Sequence, residues 1–591
     1  MTDFSKLEFA TINELFERMS HRGATPVAMW KSGSEWREIT SQQMYGRVRA
    51  VAGLLQSWGI QRGDRVGLVS ENRWEWPVVD FAVLGIGAVD VPLYDTTLPD
   101  QMGAILRDAG VRAMIVSTRH QYRKLVACGP IPTLEFVGIL DDCELENVVN
   151  LAEVFRCAPD LEQPDAAFDA LLRQTQPEDL ATIVYTSGTT GDPKGVMMTH
   201  HNLTADLRYS TAGLRIGEGD RTISFLPLSH SLARHLCYAL FGHGGTIAYL
   251  AKFDELKSAM QAVKPQVFLA VPRVYEKIRQ GTEAKAKGVK KRILHWALQQ
   301  GRKHRKDLIE GRTPHAPGWR LADKLVYSKL RAAFGGEAKL WVSGGAPLGM
   351  DAAEWFLDMG IRIFEGYGLT ETSPVVSRNT FDAYRIGTVG AVIPNLELRV
   401  AEDGEIQVRG ETVFSGYWLK EDLKKIDFTE DGWFKTGDIG EYKDGFLSIT
   451  DRKKELLKTS SGKYIAPQPI EGRLKADELV GNAAVVGDAR KFPAVLISPD
   501  LQALRRWATE HGVTADSAMD LVQDPKVKRH YEMLVKQVNT QLQDHERLKK
   551  VGVLPDEWSI EGGELTPSLK LMRRVILKRY KEKIDALYDG E

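Results

Sequence analysis

The amino-acid sequence predicts an α/β protein, with parallel sheets flanked by helices in a large first part and a smaller mixed part at the C-terminus. Short apolar, β-branched runs within residues 64–72, 112–118 and 181–187 alternate with stretches of helical periodicity. Strands separated by helices form parallel sheets, and such sheets bind ligands at the carboxyl ends of their strands. The segments directly after the predicted strands are therefore the first places to look for a site.

The most apolar stretch, Pro77–Tyr94, is predicted to lie inside the protein and not across a membrane. Asp80 and Asp90 interrupt it, whereas a spanning helix needs about 18 to 20 uninterrupted apolar residues. The first residues, MTDFSKLEF, lack the basic start and apolar run of a signal peptide. We expect any membrane contact to be peripheral.

The composition is that of an ordinary globular protein with nearly neutral charge. The chain has 591 residues, which usually form two or three domains, and 43% of them are hydrophobic. Because 78 Lys and Arg residues balance 79 Asp and Glu residues, nucleic-acid binding through bulk charge is not expected. The cysteines are too few and scattered for a disulfide framework or a paired-cysteine metal site. They are Cys128, Cys143, Cys157 and Cys237. A cytoplasmic location follows, with any peripheral contact at the inner membrane.

Residues 284–306 form a strongly basic segment with helical periodicity. One interpretation is a solvated helical face, since charge runs are usually that. The other is a peripheral contact with anionic lipid, which the apolar Ile293, Leu294, Trp296 and Leu298 among the cations would suit. The sequence leaves both open.

From Ala391 the pattern becomes rich in strands. Asp-Gly pairs at Asp403, Asp431 and Asp444 separate apolar alternations, which is a hairpin signal. The charged segment Asp451–Pro467 then resembles a linker in composition. We place an N-terminal domain at residues 1–451, a hinge at 452–454 and a C-terminal domain at 455–591. A strand-helix set and a final basic helix are predicted in this last part.

The segment Tyr185–Gly195, after a predicted strand, is the strongest chemical signal. It combines hydroxyls and glycines with one lysine, Lys194. Glycines let backbone N–H groups turn toward a phosphate, and the lysine adds positive charge. Because Pro193 precedes this lysine and Gly195 follows it, the segment is not a Walker A loop. It predicts a phosphate site of another kind.

Two further clusters suit a nucleotide. In Gly366–Thr372 an aromatic ring stands between glycines, where it could stack on a base, and the carboxylate of Glu371 could hold Mg²⁺. In Thr436–Gly440 the turn residue Asp438 could accept hydrogen bonds from ribose hydroxyls, although a single Gly-Asp pair is more often just a turn.

His230, His235 and His243 do not predict a zinc site. The spacing of five between the first two does not place them on one helical face, and no Cys or carboxylate completes a ligand set.

In order, TSGTTGDPKG, GYGLTET, TGD, DRKKELLK and LTPSLK resemble the motifs of the acyl-adenylate-forming superfamily. That superfamily includes acyl-CoA synthetases, firefly luciferase and the adenylation domains of peptide synthetases. The resemblance covers Phe9 to Tyr588. It implies a large N-terminal domain of packed mixed sheets flanked by helices, and a small mobile α+β C-terminal domain.

The resemblance implies roles for the matching residues. Those matching the loop that holds the ATP β- and γ-phosphates are Thr186, Ser187, Gly188, Thr189, Thr190 and Lys194. Those matching the nucleoside site are Gly344, Gly345, Ala346, Pro347, Tyr367, Gly368, Asp438 and Arg452. Glu371 matches the Mg²⁺ ligand, with Thr186 as a weaker second ligand, and Thr370 an α-phosphate contact. His230 matches a wall of the carboxylate pocket, and Lys454 the hinge.

Lys570 aligns with the lysine that bridges the substrate carboxylate and the α-phosphate. The preceding residue is Leu569, where many members have glycine, a departure shared by long-chain acyl-CoA synthetases. Bringing two anions together requires positive charge, which Lys570, Lys194 and Mg²⁺ would supply. The family then rotates its small domain, which would present Lys458 and the loop Ser460–Gly462 to coenzyme A.

The resemblance is strongest to long-chain members, through Val271–Ile278, the segment LPLSHSLAR and the basic insert. It implies the reaction fatty acid + ATP + CoA → acyl-CoA + AMP + pyrophosphate, through an acyl-AMP. Amino-acid adenylation is disfavoured, because Ser229, His230 and Arg234 stand where an aspartate would meet the substrate ammonium.

Three alternatives stay open. A fatty acyl-AMP ligase would pass its adenylate to a carrier protein, and a CoA ligase for very-long-chain or aryl acids would differ in the pocket. A non-catalytic lipid-binding relative is disfavoured, because the expected charged site residues are all present. The sequence leaves chain length and oligomeric state undecided.

Overall fold

A computed structural model describes residues 7–160, 164–187, 193–460, 463–566 and 570–589, apart from the side chain of Ser187. The strands are β1 (Pro26–Ser32), β2 (Glu35–Thr40), β3 (Arg65–Val69), β4 (Val89–Leu93), β5 (Ala113–Val116), β6 (Phe136–Ile139), β7 (Val149–Asn150), β8 (Leu180–Ser187), β9 (Pro193–Thr199), β10 (Arg221–Ser224), β11 (Thr246–Tyr249), β12 (Val267–Ala270), β13 (Leu340–Ser343), β14 (Ile363–Tyr367), β15 (Ser377–Arg378), β16 (Ala391–Val392), β17 (Leu396–Val400), β18 (Glu405–Gly410), β19 (Phe434–Lys443), β20 (Phe446–Arg452), β21 (Leu457–Lys458), β22 (Tyr464–Ile465), β23 (Val480–Val486), β24 (Ala494–Pro499) and β25 (Val551–Val553).

The helices are α1 (Ile12–Ser20), α2 (Ser41–Ser57), α3 (Glu75–Gly85), α4 (Pro99–Ala109), α5 (Arg119–Ala127), α6 (Leu151–Cys157), α7 (Ala166–Leu172), α8 (His200–Ser210), α9 (Ser231–Gly242), α10 (Leu256–Val263), α11 (Pro272–Lys285), α12 (Val289–Lys303), α13 (Arg305–Ile309), α14 (Pro317–Ala322), α15 (Ser328–Ala333), α16 (Met350–Asp358), α17 (Glu421–Asp427), α18 (Pro467–Leu474), α19 (Leu501–Glu510), α20 (Ala518–Gln523), α21 (Pro525–Asn539), α22 (Arg573–Arg579) and α23 (Lys581–Ala586).

Two large mixed sheets form most of the N-terminal part. One has the order β7-β6-β5-β3-β4-β8-β9 and is parallel except for β9. The other has the order β16-β15-β14-β13-β12-β10-β11-β1-β2, with a parallel centre and antiparallel edges. Side chains alternate across this second sheet: Val267 packs into the core shared with α8 and α9, and Phe268 packs beneath α10–α16 on the opposite face. The predicted α/β class is confirmed.

The most apolar stretch is an internal helix followed by a strand. Every residue of α3 is buried, and the stretch continues through β4. A helix that is apolar all round belongs in a core. Among the described residues no helix is long and apolar enough to cross a membrane.

The β-rich region forms the sheet β17-β18-β19-β20. Asp403 lies in the turn between β17 and β18, and Asp444 in the turn between β19 and β20, where its φ of 51° and that of Gly445 (81°) are both left-handed. Such angles belong to tight hairpin turns. Asp431 lies in a turn between the bridged residues Phe428 and Phe434.

The smaller C-terminal part is built around the sheet β23-β24-β25. Helices α18, α19 and α21 cover one face, and α22 and α23 the other. The predicted single basic helix at the end is wrong: the chain forms two short helices that break at Tyr580. Ile576 and Ile584, on either side of this break, are both buried.

The basic segment is helical as predicted but is interrupted. Helix α11 ends at Lys285, and α12 begins after Gly288, whose φ is 54°. Leu294 and Leu298, which the lipid interpretation counted as interfacial, are buried in the core beneath α10–α16. On this helix Val289 and Ile293 are exposed, at 70% and 37%.

Candidate active site

One cavity of about 750 Å³ collects most of the predicted residues. Its wall includes the ends of β8 and β9, the segments after β13 and β14, the start of α9 and residues of the C-terminal part. Predicted site residues in its lining are Thr186, Lys194, His230, Gly344, Gly345, Tyr367, Gly368, Thr370, Glu371, Arg452, Lys454 and Lys570. Residues far apart in sequence therefore share one space.

Thr186 and Lys194 face each other across an antiparallel pair of strands, β8 and β9. The Lys194 ammonium is 3.5 Å from a carboxylate oxygen of Asp427 and 4.8 Å from the ring centre of Tyr417. The pairing places the lysine at the start of β9, opposite the end of β8. The side chain of Ser187, and Gly188, Thr189 and Thr190, lie outside the described residues.

Glu371 stands on a single 3-10 turn after β14. The hydroxyl of Tyr417 donates to its carboxylate at 3.1 Å. Burial raises the pKa of Glu371, while its own backbone N–H, the Tyr417 hydroxyl and Arg452 oppose that rise. The neighbouring Thr370 hydroxyl is 3.4 Å from that of Ser231 at the start of α9. A carboxylate whose negative charge is not balanced by a paired cationic side chain is suited to a bound cation.

Asp438 is held by two neighbours. It pairs with Arg452 across β19 and β20, with Nε 3.1 Å from Oδ1, and the Tyr367 hydroxyl donates to Oδ2 at 2.7 Å. Burial raises the pKa of Asp438, and Arg452 opposes the rise. Three of the predicted nucleoside residues, Tyr367, Asp438 and Arg452, are thus connected through Asp438.

Glycine is required at Gly368 for steric reasons. A Cβ there would lie 1.7 Å from the carbonyl oxygen of Pro374. Gly345 has a φ of 83°, which favours glycine. Ala346 and Pro347 follow it but are exposed and outside the cavity lining, so the predicted four-residue segment contributes its two glycines.

Lys570 enters the cavity from the C-terminal part. Its backbone N–H donates to the Thr566 hydroxyl at 3.0 Å, and its carbonyl accepts from the Thr566 N–H at 2.8 Å. Desolvation lowers the pKa of Lys570, and Arg452 lowers it further. Burial lowers the pKa of His230 to about 4, so this imidazole is neutral at pH 7.

Lys458 does not reach this cavity. It is exposed on β21, with its ammonium 5.5 Å from the ring centre of Tyr464. Ser461 and Gly462 of the adjacent loop lie outside the described residues, as does Leu569.

A second arm of the cavity is apolar. It runs between α9 and the inner face of the second large sheet, and its lining includes Leu214, Ile216, Leu232, Leu236, Ala239, Val267, Leu269, Leu340 and Val342. Helix α9 faces it with Leu232, Leu236 and Ala239, at helical spacing. The arm suits a hydrocarbon chain.

Arg234, which the sequence placed in the substrate pocket, lies outside the cavity lining. It is buried between α9 and the first sheet, where it hydrogen-bonds Asp80 and lies 3.2 Å from Asp90. The Thr182 hydroxyl accepts from it at 2.8 Å. The two carboxylates that interrupt the apolar stretch are therefore the partners of this arginine.

The sequence analysis missed Tyr417 and Asp427, which hold Glu371 and Lys194. Tyr417 follows Gly416 and lies three residues after the buried Phe414, and a glycine among aromatic residues is a weak sequence signal. Asp427 ends an exposed charged helix, and no sequence pattern separated it from its neighbours.

The sequence matches the AMP-binding enzyme family over residues 15–418 and the AMP-binding enzyme C-terminal domain over residues 454–591. The chain belongs to the family of AMP-binding enzymes. Among its relatives is the long-chain-fatty-acid–CoA ligase FadD15 of Mycobacterium tuberculosis, 38% identical over 94% of this chain and 93% of the relative. The rat long-chain-fatty-acid–CoA ligase ACSBG2 is 32% identical over 98% and 93%.

Solved structures share the fold at low sequence identity. The adenylation domain of a carboxylate reductase from Mycobacterium chelonae gives a TM-score of 0.76 at 22% identity, covering 98% of this chain and 91% of that one. The anthranilate CoA ligase AuaEII, solved with anthranoyl-AMP, gives 0.73 at 19% identity, covering 98% of each chain. These likenesses concern the fold.

Proposed function

We propose that this protein is an ATP-dependent, AMP-forming long-chain fatty acid–CoA ligase. The acid would attack the α-phosphate of ATP to give acyl-AMP and pyrophosphate, and the CoA thiol would then take the acyl group and release AMP. The observation that carries the proposal is the continuity of one cavity, from Lys194 and Glu371 through Lys570 to an apolar arm. We propose that the nucleotide lies beside the charged residues and the hydrocarbon chain beside the apolar ones.

The charges around the cavity suit the first half-reaction. Lys570 lines the cavity and interacts electrostatically with His230 and with Glu371, and we assign it to the carboxylate and α-phosphate. Lys194, on the strand after the glycine-rich loop, is assigned to the outer phosphates. Positive groups fixed where charge develops lower the barrier most. Neutral His230 forms the wall beside the carboxylate and adds no competing charge.

The nucleoside would be held by Asp438 and Arg452 at the ribose and by Tyr367 and the close approach at Gly368 at the base. Asp438 already accepts from Tyr367 and pairs with Arg452, so its position is fixed before ATP arrives. The required glycine lets the backbone after Tyr367 pack directly against Pro374.

Mg²⁺ fits the carboxylate of Glu371, with the Thr186 hydroxyl as a second candidate oxygen. The half-buried Glu371 carboxylate has no cationic side chain within ion-pair distance among the described residues, which suits an oxygen-seeking ion. When bound, Mg²⁺ supplies charge neutralisation at the phosphates. Tyr417 orients the carboxylate for this role.

The long-chain assignment is supported by the apolar arm and by the relatives, which are named long-chain-fatty-acid–CoA ligases. An aryl or very-long-chain acid would change the arm, and a carrier-protein acceptor would change the second half-reaction; neither alternative changes the charged residues. For the second half-reaction we propose that residues 455–591 turn about 452–454, which would withdraw Lys570 and bring exposed Lys458 toward CoA.

The proposal is tested by AMP release from ATP and palmitate, with and without CoA. Strong CoA dependence with acyl-CoA as product is expected. Slow release that ignores CoA, with acyl-AMP retained, would indicate a carrier-protein ligase. Turnover with shorter or aromatic acids but not with palmitate would overturn the substrate class.

We also propose a peripheral contact between α12 and anionic lipid, at the cytoplasmic side of the inner membrane. Val289 and Ile293 are exposed beside Lys290, Lys291 and Arg292, and this combination suits an interface. Sedimentation with phosphatidylglycerol vesicles should fall in a K290E/K291E variant and at high salt, but not in a K528E/R529E control on α21. Equal sedimentation of all variants would exclude this surface.

A further inference from the structure

The apolar arm of the cavity contains three polar side chains in contact with one another. Asp206 and Ser210 lie one turn apart on α8, and His235 lies on α9 opposite them. Oδ2 of Asp206 is 3.0 Å from Nδ1 of His235, and Nε2 of His235 is hydrogen-bonded to Oγ of Ser210 at 2.9 Å. Ser210 and His235 line the cavity, whereas Asp206 is fully buried behind them. We call this set the polar relay.

The polar relay lies in a part of the cavity wall whose other side chains are mostly apolar. His235 shares its helix face with Leu232, Leu236 and Ala239, which lie three residues before, one after and four after it. Arg378 also lines this region, but its guanidinium donates to the carbonyls of Ser210 at 2.6 Å and of Tyr209 and Ala212 at 2.9 Å. Arg378 is therefore engaged in ending α8.

The hydroxyl of Ser210 has a different kind of hydrogen-bond partner from the hydroxyls of Thr204 and Thr211. Thr204 donates to the carbonyl of His200 at 3.0 Å, and Thr211 donates to that of Leu207 at 2.8 Å. Ser210 instead bonds the His235 ring across the two helices. Since a hydroxyl offers one donor and two acceptor positions, this single bond leaves capacity for a partner in the cavity.

The protonation states of Asp206 and His235 decide whether the Ser210 hydroxyl can donate or accept a hydrogen bond in the cavity. Burial raises the pKa of Asp206 and lowers that of His235 to about 3, so the imidazole is neutral at pH 7. A neutral carboxyl donates to Nδ1, Nε2–H then donates to Ser210, and the Ser210 O–H is left to donate into the cavity. If Asp206 is ionised instead, Ser210 donates to Nε2 and keeps its lone pairs. A ligand hydroxyl can satisfy either arrangement.

We infer that the polar relay is a subsite for a hydroxyl group on the acyl chain, so that the protein takes hydroxylated long-chain acids at one matched chain position. The inference rests on the proposed function, because it places the carboxylate beside His230. His235 lies five residues further along α9, or about 7 Å at a rise of about 1.5 Å per residue. The matched hydroxyl therefore lies in the half of a palmitoyl chain nearer the carboxylate.

The test measures binding without ATP, so that it does not depend on turnover. Dissociation constants are determined by calorimetry for palmitate and for hydroxypalmitates whose hydroxyl is moved along the chain. The wild-type protein should bind one hydroxypalmitate, with its hydroxyl in the half of the chain nearer the carboxylate, about tenfold more tightly than the other isomers. A buried hydrogen bond accounts for a difference of this size. In S210A this preference should disappear while palmitate binding is unchanged.

The control is T211V. The Thr211 hydroxyl lines the same cavity, but it already donates to the carbonyl of Leu207. T211V should keep the positional preference, and H235F should lose it because the relay is broken. Thermal unfolding identifies any variant that has not folded. Equal affinity for all hydroxyl positions in the wild type, or an unchanged preference in S210A, would overturn the inference. Failure of the wild type to bind palmitate or any hydroxypalmitate would refute the proposed function, and the inference with it.

Discussion

At the scale of single residues, the cavity is organised by cations that already have partners. Lys194 lies 3.5 Å from Asp427, and Arg452 lies 3.1 Å from Asp438. A buried charge without a partner is costly, so these pairs keep the cations in place before substrate arrives. Binding of a triphosphate must exchange some of these contacts for new ones.

The first prediction concerns Lys570. In K570A, acid-dependent formation of acyl-AMP should fall by a factor of about 10² to 10³, the usual loss when one group that stabilises developing charge is removed. Thioester formation from supplied palmitoyl-AMP and CoA should change little, since the lysine is assigned to the first half-reaction. The two half-reactions are measured separately. Equal loss in both would refute this role.

The second prediction concerns Asp427, the partner of Lys194. Its carboxylate competes with phosphate for the lysine, so D427N should bind ATP up to about fivefold more tightly, as the modest energy of a partly exposed ion pair allows. The KM for ATP should fall while that for palmitate stays constant. Weaker ATP binding that extra Mg²⁺ restores would show instead that Asp427 is a metal ligand.

The third prediction concerns the pH dependence of stability. Burial raises the pKa of Glu365 on β14 from 4.5 to about 7. The folded state then holds a proton that the unfolded state has lost, so stability falls as the pH rises from about 4.5 to 7. The loss at pH 8 is of the order of 3 kcal/mol.

The variant E365Q keeps an oxygen acceptor for the backbone N–H of Leu348, which is 3.2 Å from the carboxylate. It should lack this decline, so urea unfolding at pH 5 and pH 8 should show a gain at pH 8 relative to wild type. A parallel pH dependence in both proteins would mean that Glu365 titrates normally.

At the scale of elements, helix α9 joins the two sheets and forms the cavity wall. His230 caps its N-terminus, with Nδ1 accepting from the N–H of Leu232 at 3.2 Å, and the polar relay lies further along it. Arg234, on the opposite side, fixes the helix to α3 and β4 through Asp80 and Asp90. The position of the wall therefore depends on this buried cluster.

The fourth prediction tests that cluster. R234M leaves two buried carboxylates without their cation, which should destabilise the protein by about 3 to 5 kcal/mol. R409A, which breaks the exposed pair with Glu397 on β17 and β18, should cost less than about 1 kcal/mol. Urea unfolding measures both. A small loss in R234M would mean that Asp80 and Asp90 are stable when protonated and unpaired.

Local patterns predicted the elements well where periodicity and turn chemistry agreed. The strands around residues 65–69 and 113–116, helix α3 and the turns at Asp403 and Asp444 lie where the sequence put them. The final basic helix was mispredicted, because the continuous helical period carries no signal for the break at Tyr580.

Contacts between side chains on elements far apart in the sequence were harder to predict than local motifs. The site residues came from motifs, because a glycine-rich loop or an aromatic residue between glycines is a local signal. Arg234 stands in the same motif region as His230, yet its partners Asp80 and Asp90 lie on other elements, which the motif does not reveal. Asp427 and the polar relay depend on contacts between elements far apart in the chain, which no local pattern contains.

At the scale of the whole molecule, the cavity is completed by both parts of the chain. The N-terminal part supplies Lys194, Glu371, Tyr367 and the apolar wall, and the C-terminal part supplies Lys570 together with Leu565 and Met572. A lysine brought by a separate element can be withdrawn after adenylation, which fits a two-step reaction. The arrangement seen is the one suited to the first step.

The central claim is that this cavity adenylates a long-chain acid, and its most direct test is palmitate-dependent exchange of labelled pyrophosphate into ATP without CoA. Acyl-AMP formation is reversible, so the account predicts exchange that requires both palmitate and Mg²⁺ and is lost in K570A. Absence of exchange with palmitate and every other fatty acid tried, in a folded protein that binds ATP, would contradict the account.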